Sequence, residues 1–206
     1  MLEAVSSDPT AIMIPADLLP DDGRFGCGPS KIRPEQIDAL VAAQNTILGT
    51  SHRQPAVKNL VGSVRSGLTS LFGLPDGWEI VLGNGGSTVF WDIATFGLIR
   101  ERSQHLVFGE FSSKFADASA AAPHLGQPTV ITSDTGSHPA ASAEDGIDLY
   151  ALTHNETSTG VAMQLIRPAG TSADSALVAV DATSAAGGLT WDPAEVDVYY
   201  FAPQKC

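Results

Sequence analysis

The sequence predicts an α/β protein with a mainly parallel sheet flanked by helices, and three observations carry that prediction. Short apolar runs recur at 79–82, 105–108, 129–132, 149–153, 177–180 and 198–201. Helix-like stretches separate some of them, notably 87–99 and 111–122. Glycine and polar residues bunch just after the runs rather than inside them. Strands alternating with helices make a parallel sheet covered on its faces. Ligands in such sheets bind beyond the carboxyl ends of the strands, where the polar residues fall here.

Taken in order, residues 1–22 carry Pro, Asp and Ser with little periodicity and read as an N-terminal arm. Residues 23–206 read as one domain, with no internal repeat and no linker. A helix is predicted over 34–48: Pro34 suits its first turn, Ile37, Leu40, Val41, Ile47 and Leu48 share a face, and Gly49 can stop it. A second is predicted over 57–72, where Val57, Leu60, Val61, Val64, Leu68, Leu71 and Phe72 repeat the pattern and Gly73 closes it. After the turn at Pro75-Asp76-Gly77 the alternating pattern begins, and residues 134–146 read as an exposed loop.

Composition narrows the function. The chain has 206 residues and a net charge of −12, without a run of Lys or Arg, which argues against nucleic acid or an anionic membrane as partner. Its two cysteines, Cys27 and Cys206, imply neither a disulfide framework nor a metal site, and favour a reducing, cytoplasmic compartment. No signal peptide is visible at the acidic N-terminus, and no apolar stretch nears the ~20 residues of a transmembrane helix.

Five strand ends carry the chemistry. Strand 79–82 leads into Gly83-Asn84-Gly85-Gly86-Ser87-Thr88 and a helix, a generic phosphate cradle of free N–H groups at a helix start, or else a plain tight turn. It lacks the endings of a P-loop and of a dinucleotide fingerprint. Strand 105–108 leads into Gly109-Glu110-Phe111; Phe111 is by default core, but its place suits stacking on a flat ring. Strand 149–153 leads into His154-Asn155-Glu156-Thr157, with His154 read as a structural hydrogen-bonder. His105, His124 and His138 carry no motif and read as structural or exposed. Strand 177–180 delivers Asp181 and Ser184, and strand 198–201 delivers Gln204 and Lys205. Asp181 alone suits a helix cap or a magnesium ligand, and Lys205 alone a solvated surface position. Together they match what pyridoxal phosphate (PLP) requires: a lysine amine for the aldehyde and a carboxylate for the pyridine nitrogen. Between the first two helices, Ser51-His52-Arg53 offers either an ordinary loop cation or a guanidinium grip for a phosphate dianion.

Several segments, in this order, resemble the phosphoserine aminotransferases of the fold-type I PLP enzymes, and among them the actinobacterial branch. They are Arg24-Phe25-Gly26-Cys27-Gly28-Pro29-Ser30-Lys31, Gly49-Thr50-Ser51-His52-Arg53-Gln54, Val57-Lys58-Asn59-Leu60-Val61-Gly62, Leu82-Gly83-Asn84-Gly85-Gly86, His154-Asn155-Glu156-Thr157-Ser158-Thr159-Gly160-Val161, Val180-Asp181-Ala182-Thr183-Ser184 and Tyr199-Tyr200-Phe201-Ala202-Pro203-Gln204-Lys205. The set is far more specific than any member.

The resemblance implies the N-terminal part of a PLP-binding large domain and these roles. Lys205 is the catalytic lysine that bonds the cofactor, Asp181 pairs with the pyridinium, Phe111 stacks on the ring, and Thr157 lies beside it. Gly86, Ser87, Thr88 and Gln204 surround the cofactor phosphate, and His52 and Arg53 grip the substrate phosphate. The implied reaction moves an amino group from glutamate to 3-phosphohydroxypyruvate, in serine biosynthesis, by a homodimer. Family members are longer. The resemblance therefore implies that the chain is incomplete, lacks the C-terminal small domain, and is inactive and poorly stable alone. It also implies that the strand following the lysine lies between 198–201 and 79–82. Cys206 stands where Asn is common in the family. Competing readings are a non-catalytic fragment that binds only PLP or a partner chain, and another PLP enzyme such as an alanine–glyoxylate aminotransferase or a cysteine desulfurase. Ser51-His52-Arg53 favours a phosphorylated substrate over those.

Overall fold

The computed structural model describes residues 10, 12–19, 24 and 26–205. Phe25 and Cys206 lie outside the described residues, as does most of the expected arm (1–9, 11 and 20–22).

Five parallel strands form the sheet in the order β2-β1-β3-β6-β7. They are β1 (Ser103–Val107), β2 (Thr129–Thr132), β3 (Leu149–Thr153), β6 (Leu177–Asp181) and β7 (Val198–Tyr200). A two-stranded antiparallel hairpin, β4 (Asn155–Glu156) with β5 (Val161–Ala162), follows β3. The central strands are buried on both faces, which is why they read as unbroken apolar runs. Alternation within β3 divides the core. Leu149 and Ala151 face a cluster with Trp91, Ile99, Phe115 and Ala179, while Tyr150 and Leu152 face another with Leu106, Phe108, Val178, Val180 and Val196. The first cluster is covered by helices α3 (Ser87–Gly97) and α4 (Glu110–Ala121).

The helices α1 (Pro34–Ala42) and α2 (Pro55–Phe72) form where proline presets a first turn, and Gly73 ends α2 in the left-handed region at φ 57°. The expected 34–48 helix stops at Ala42, and residues 43–49 continue as turns. The apolar faces of α1 and α2 are left uncovered by the described residues. Neither helix buries a residue, and Ile37, Leu40, Val41, Leu60, Val61, Val64 and Leu71 are exposed. Only the end of α2 docks: Phe72 packs edge-on against Tyr199 and Phe201 and tilts against Trp191. Amphipathic spacing specifies that a helix has an apolar side, but not which surface covers it.

One predicted strand is missing. Residues 79–82 make no backbone–backbone hydrogen bond with a described residue, and Val81 is 83% exposed. A strand exists only through a neighbouring ladder, and no described strand lies beside this segment. It does not pair with β7, which is bonded on one side only, to β6. Among the described residues, no helix is long and apolar enough to cross a membrane, and no group of three or more His, Cys, Asp or Glu could hold a metal.

His105 sits inside the sheet, 1% exposed, with Nε2 2.9 Å from the Ser103 hydroxyl and its ring edge-on to Phe115. Burial lowers its pKa from 6.5 to about 3. The unfolded chain takes up this proton near pH 6.5, while the folded chain resists it down to about pH 3. The unfolded state therefore binds more protons in that window, and stability rises with pH through it by about 1.4 kcal/mol per unit. Denaturant unfolding at pH 6 and pH 4 should show the wild-type chain losing about 2–3 kcal/mol more than the His105→Gln variant. Parallel pH profiles would show that His105 does not stay neutral.

Candidate active site

Register assembles the site. Thr153 pairs with Asp181 and Asp181 with Tyr200, so β3, β6 and β7 end abreast on one edge of the sheet. Past Thr153 the chain enters the β4–β5 hairpin, whose connection carries Thr157 and Ser158. Past Tyr200 it runs to Gln204 and Lys205.

The half-buried Lys205 donates from Nζ to Thr157 Oγ1 at 2.7 Å, and its Nζ stands 5.7 Å from the centre of the Phe111 ring. A segment from the far N-terminal side braces it. The Ser30 N–H donates to the Gln204 carbonyl at 2.7 Å, and the Ser30 hydroxyl to the same oxygen at 3.2 Å. Gly28, at φ 149°, lies under the lysine stem so closely that a Cβ there would be 2.7 Å from Lys205 Cγ.

Asp181 is 7% exposed. The Thr183 N–H and hydroxyl donate to its Oδ1 at 2.9 and 2.6 Å. Thr183 Oγ1 is in turn in short contact with the Ser87 hydroxyl. Since Thr183 donates to the carboxylate, Ser87 donates to Thr183, which ties the start of α3 to Asp181. Burial pushes the Asp181 carboxyl above its ordinary value; the Thr183 bonds oppose this, and the Glu156 charge adds to it. Among the described residues no Lys or Arg pairs with Asp181. Tyr200, buried and near that carboxylate, has its pKa raised well above 10, and it accepts a bond from Trp91 Nε1 at 3.2 Å. Gly86 begins α3 without a side-chain cap, leaving early N–H groups of the helix open.

Glu156 completes the surroundings. It is fully buried and takes bonds from the Phe111 N–H (3.1 Å), the Ser112 N–H and hydroxyl (both 2.9 Å) and the Ser158 hydroxyl (2.8 Å). Burial pushes its carboxyl upward, but the Ser112 and Ser158 bonds outweigh this and hold it below its ordinary value. Nearby, His154 bonds the Tyr199 hydroxyl through Nδ1 at 3.1 Å and is kept toward its neutral form by burial. Asn155 exchanges bonds with Ser184, both at 2.8 Å.

The structure thus brings together Lys205, Thr157 and Phe111, and links Asp181 to Ser87 beside Gly86 and Thr88. Phe111 is not a core residue: it is 39% exposed. Gln204 takes part through its carbonyl. His52 and Arg53 are exposed in the turn between α1 and α2 and join none of these contacts; the Arg53 N–H bonds only the neighbouring Ser51 hydroxyl. Sequence reasoning missed Glu156, Ser112, Ser158, Thr183 and Ser30 as members of the site. A carboxylate directly after a buried strand, as at Glu156, was the available signal.

No family model matches the chain. It is 68% identical over 196 residues to a phosphoserine aminotransferase of a Nocardioides species, covering 95% of this chain and 52% of that protein. To the phosphoserine aminotransferase of Rhodococcus opacus it is 60% identical over 194 residues, covering 94% and 52%. The chain spans about half the length of the curated relatives it matches. Among solved structures, a phosphoserine aminotransferase from Cytophaga hutchinsonii superposes with a TM-score of 0.76 at 25% identity, over 87% of this chain and 50% of that one. One from Bacillus circulans gives 0.70 at 20% identity, over 88% and 53%. In sequence and in fold, the chain is a relative of the actinobacterial phosphoserine aminotransferases, within the fold-type I aminotransferases.

Proposed function

We propose that this chain is the cofactor-bearing part of a PLP-dependent transaminase. The enzyme passes the amino group of glutamate to 3-phosphohydroxypyruvate, giving phosphoserine and 2-oxoglutarate, and works as a cytoplasmic homodimer in serine biosynthesis. One observation carries the reading: a lysine amine beside an exposed aromatic face, with a buried carboxylate at the neighbouring strand end that pairs with no Lys or Arg among the described residues. An apolar environment raises the cost of an unpaired carboxylate, so Asp181 is poised to gain from a cationic ring nitrogen.

The residues fit the group. Pyridoxal phosphate, when bound, supplies an aldehyde and an electron-accepting ring. Lys205 would hold it covalently, with Thr157 orienting the amine. Phe111 would cover one ring face, and Asp181, set by Thr183, would keep the ring nitrogen protonated. The uncapped start of α3 at Gly86, Ser87 and Thr88 would take the phosphate through backbone N–H groups and the helix dipole. Lys205 would afterwards move the substrate proton, its amine being a base held at the site by Thr157. His52 and Arg53 would select the phosphorylated substrate.

Two measurements test these roles in the enzyme that carries this chain. Borohydride reduction in the presence of PLP should leave the cofactor attached at Lys205 in the wild type and unattached in Lys205→Ala. Retention at the wild-type level in the variant would assign the bond to another lysine. The Arg53→Ala variant should lose about 2–3 kcal/mol of transition-state binding with phosphorylated substrates, roughly 30-fold or more in kcat/KM. Glutamate turnover in the separate half-reaction should change far less. Equal losses in both half-reactions would make Arg53 a support of the fold.

A further inference from the structure

We propose that Glu156 is the positioning residue of the cofactor-ring site: one buried carboxylate that locks Phe111 and Thr157 into a single unit. The inference rests on the transaminase reading given above and extends it to a residue that touches neither cofactor nor substrate.

Two elements meet at this side chain. On one side is the first turn of α4. Its Phe111 and Ser112 N–H groups have no partner within the helix and donate to Glu156 instead, at 3.1 and 2.9 Å. On the other side is the connection of the β4–β5 hairpin, where the Ser158 hydroxyl donates at 2.8 Å and the Ser158 N–H at 3.3 Å. The Ser158 hydroxyl also accepts from the Glu110 N–H at 2.9 Å, closing a second link between the same two elements. Phe111 is thus bonded directly to the carboxylate, while Thr157 lies between Glu156 and Ser158, both members of the clamp. Those two residues are the ones that stand at Lys205, one by its ring and one by its hydroxyl.

The bonding is built for an anion. Every group the structure records donating to Glu156 is an N–H or a hydroxyl, and the helix start adds its positive end. No Lys or Arg among the described residues pairs with it. Space is reserved for it as well: a Cβ at Gly109 would collide with Glu156 Cγ and the Ser158 hydroxyl. A buried carboxylate held only by donors from two separate loops gains most of its stability when both loops are in place. It therefore transmits order from one to the other. Glutamine keeps the shape but removes the negative charge, which weakens the charge-assisted bonds from Phe111 and Ser112, and its amide nitrogen meets an N–H donor whichever way it turns.

The test is made in the enzyme that carries this chain, with Glu156→Gln and with Ser158→Ala, which removes one hydroxyl and leaves the carboxylate. Three quantities are read: amide exchange at Phe111 and Ser112 without cofactor, the dissociation constant for PLP, and the circular dichroism that the bound cofactor acquires from its surroundings. In Glu156→Gln, amide protection at Phe111 and Ser112 should fall at least tenfold while that of β3 and β6 holds. PLP should bind about tenfold or more weakly, and its dichroism should shrink. Ser158→Ala should change the same three in the same direction by less, and it carries the test alone if Glu156→Gln does not fold. A folded variant with wild-type PLP affinity and dichroism overturns the inference and leaves the Lys205 reading standing. A wild-type protein whose PLP is not reducible onto Lys205 overturns that reading, and the positioning role with it. Exchange loss at Phe111 and Ser112 would then mark Glu156 as a structural clamp only.

Discussion

The parallel pairing of β3, β6 and β7 is the constraint on which the rest depends. Thr153, Asp181 and Tyr200 stand level because their strands run the same way and share one register. A one-residue slip of β6 would turn Asp181 to the opposite face of the sheet. Leu149–Thr153 and Val178–Asp181 are close-packed on both faces, and a slip would put side chains of the wrong size and shape into those contacts. Packing deep in the sheet thereby sets polar geometry at its rim.

What the rim gains is order without bulk. Three short polar links join the elements there: Ser87 to Thr183 to Asp181, Lys205 to Thr157, and Glu156 to both α4 and the hairpin. The Ser87–Thr183, Lys205–Thr157 and Ser112–Glu156 bonds join residues 96, 48 and 44 apart in sequence, and the Thr183–Asp181 and Ser158–Glu156 bonds are local. The site is coherent because these links satisfy buried polar groups, whose cost when unmet is about 1–3 kcal/mol each.

Strand cores and the functional strand ends were legible in the sequence because both are local. An apolar run followed by a polar cluster located Asp181, Thr157, Phe111 and Lys205 at the rim without any knowledge of pairing. Partnership is not local, and composition and spacing do not supply it; only the family resemblance placed the strand after the lysine between 198–201 and 79–82. Residues 79–82 have the composition of a buried strand, yet the ladder they need is not among the described residues. The apolar faces of α1 and α2 announced burial that the described residues do not provide. Glu156 was placed in a strand-end cluster but given no role, because only its five donors reveal a buried anion. His52 and Arg53, carried on the turn between α1 and α2, have a role that rests on family resemblance rather than on contacts.

The close approach of Gly28 to Lys205 has a consequence for how this protein can vary. Two positions near opposite ends of the chain occupy what is sterically one volume: the lysine stem fills the space that any side chain at 28 would need. The positive φ removes the other escape, since L-residues rarely adopt it. Position 28 is therefore constrained by the lysine stem although it has no side chain of its own. A saturation library would show position 28 restricted wherever the lysine stem is kept, and relieved where position 205 is cut back to a small side chain.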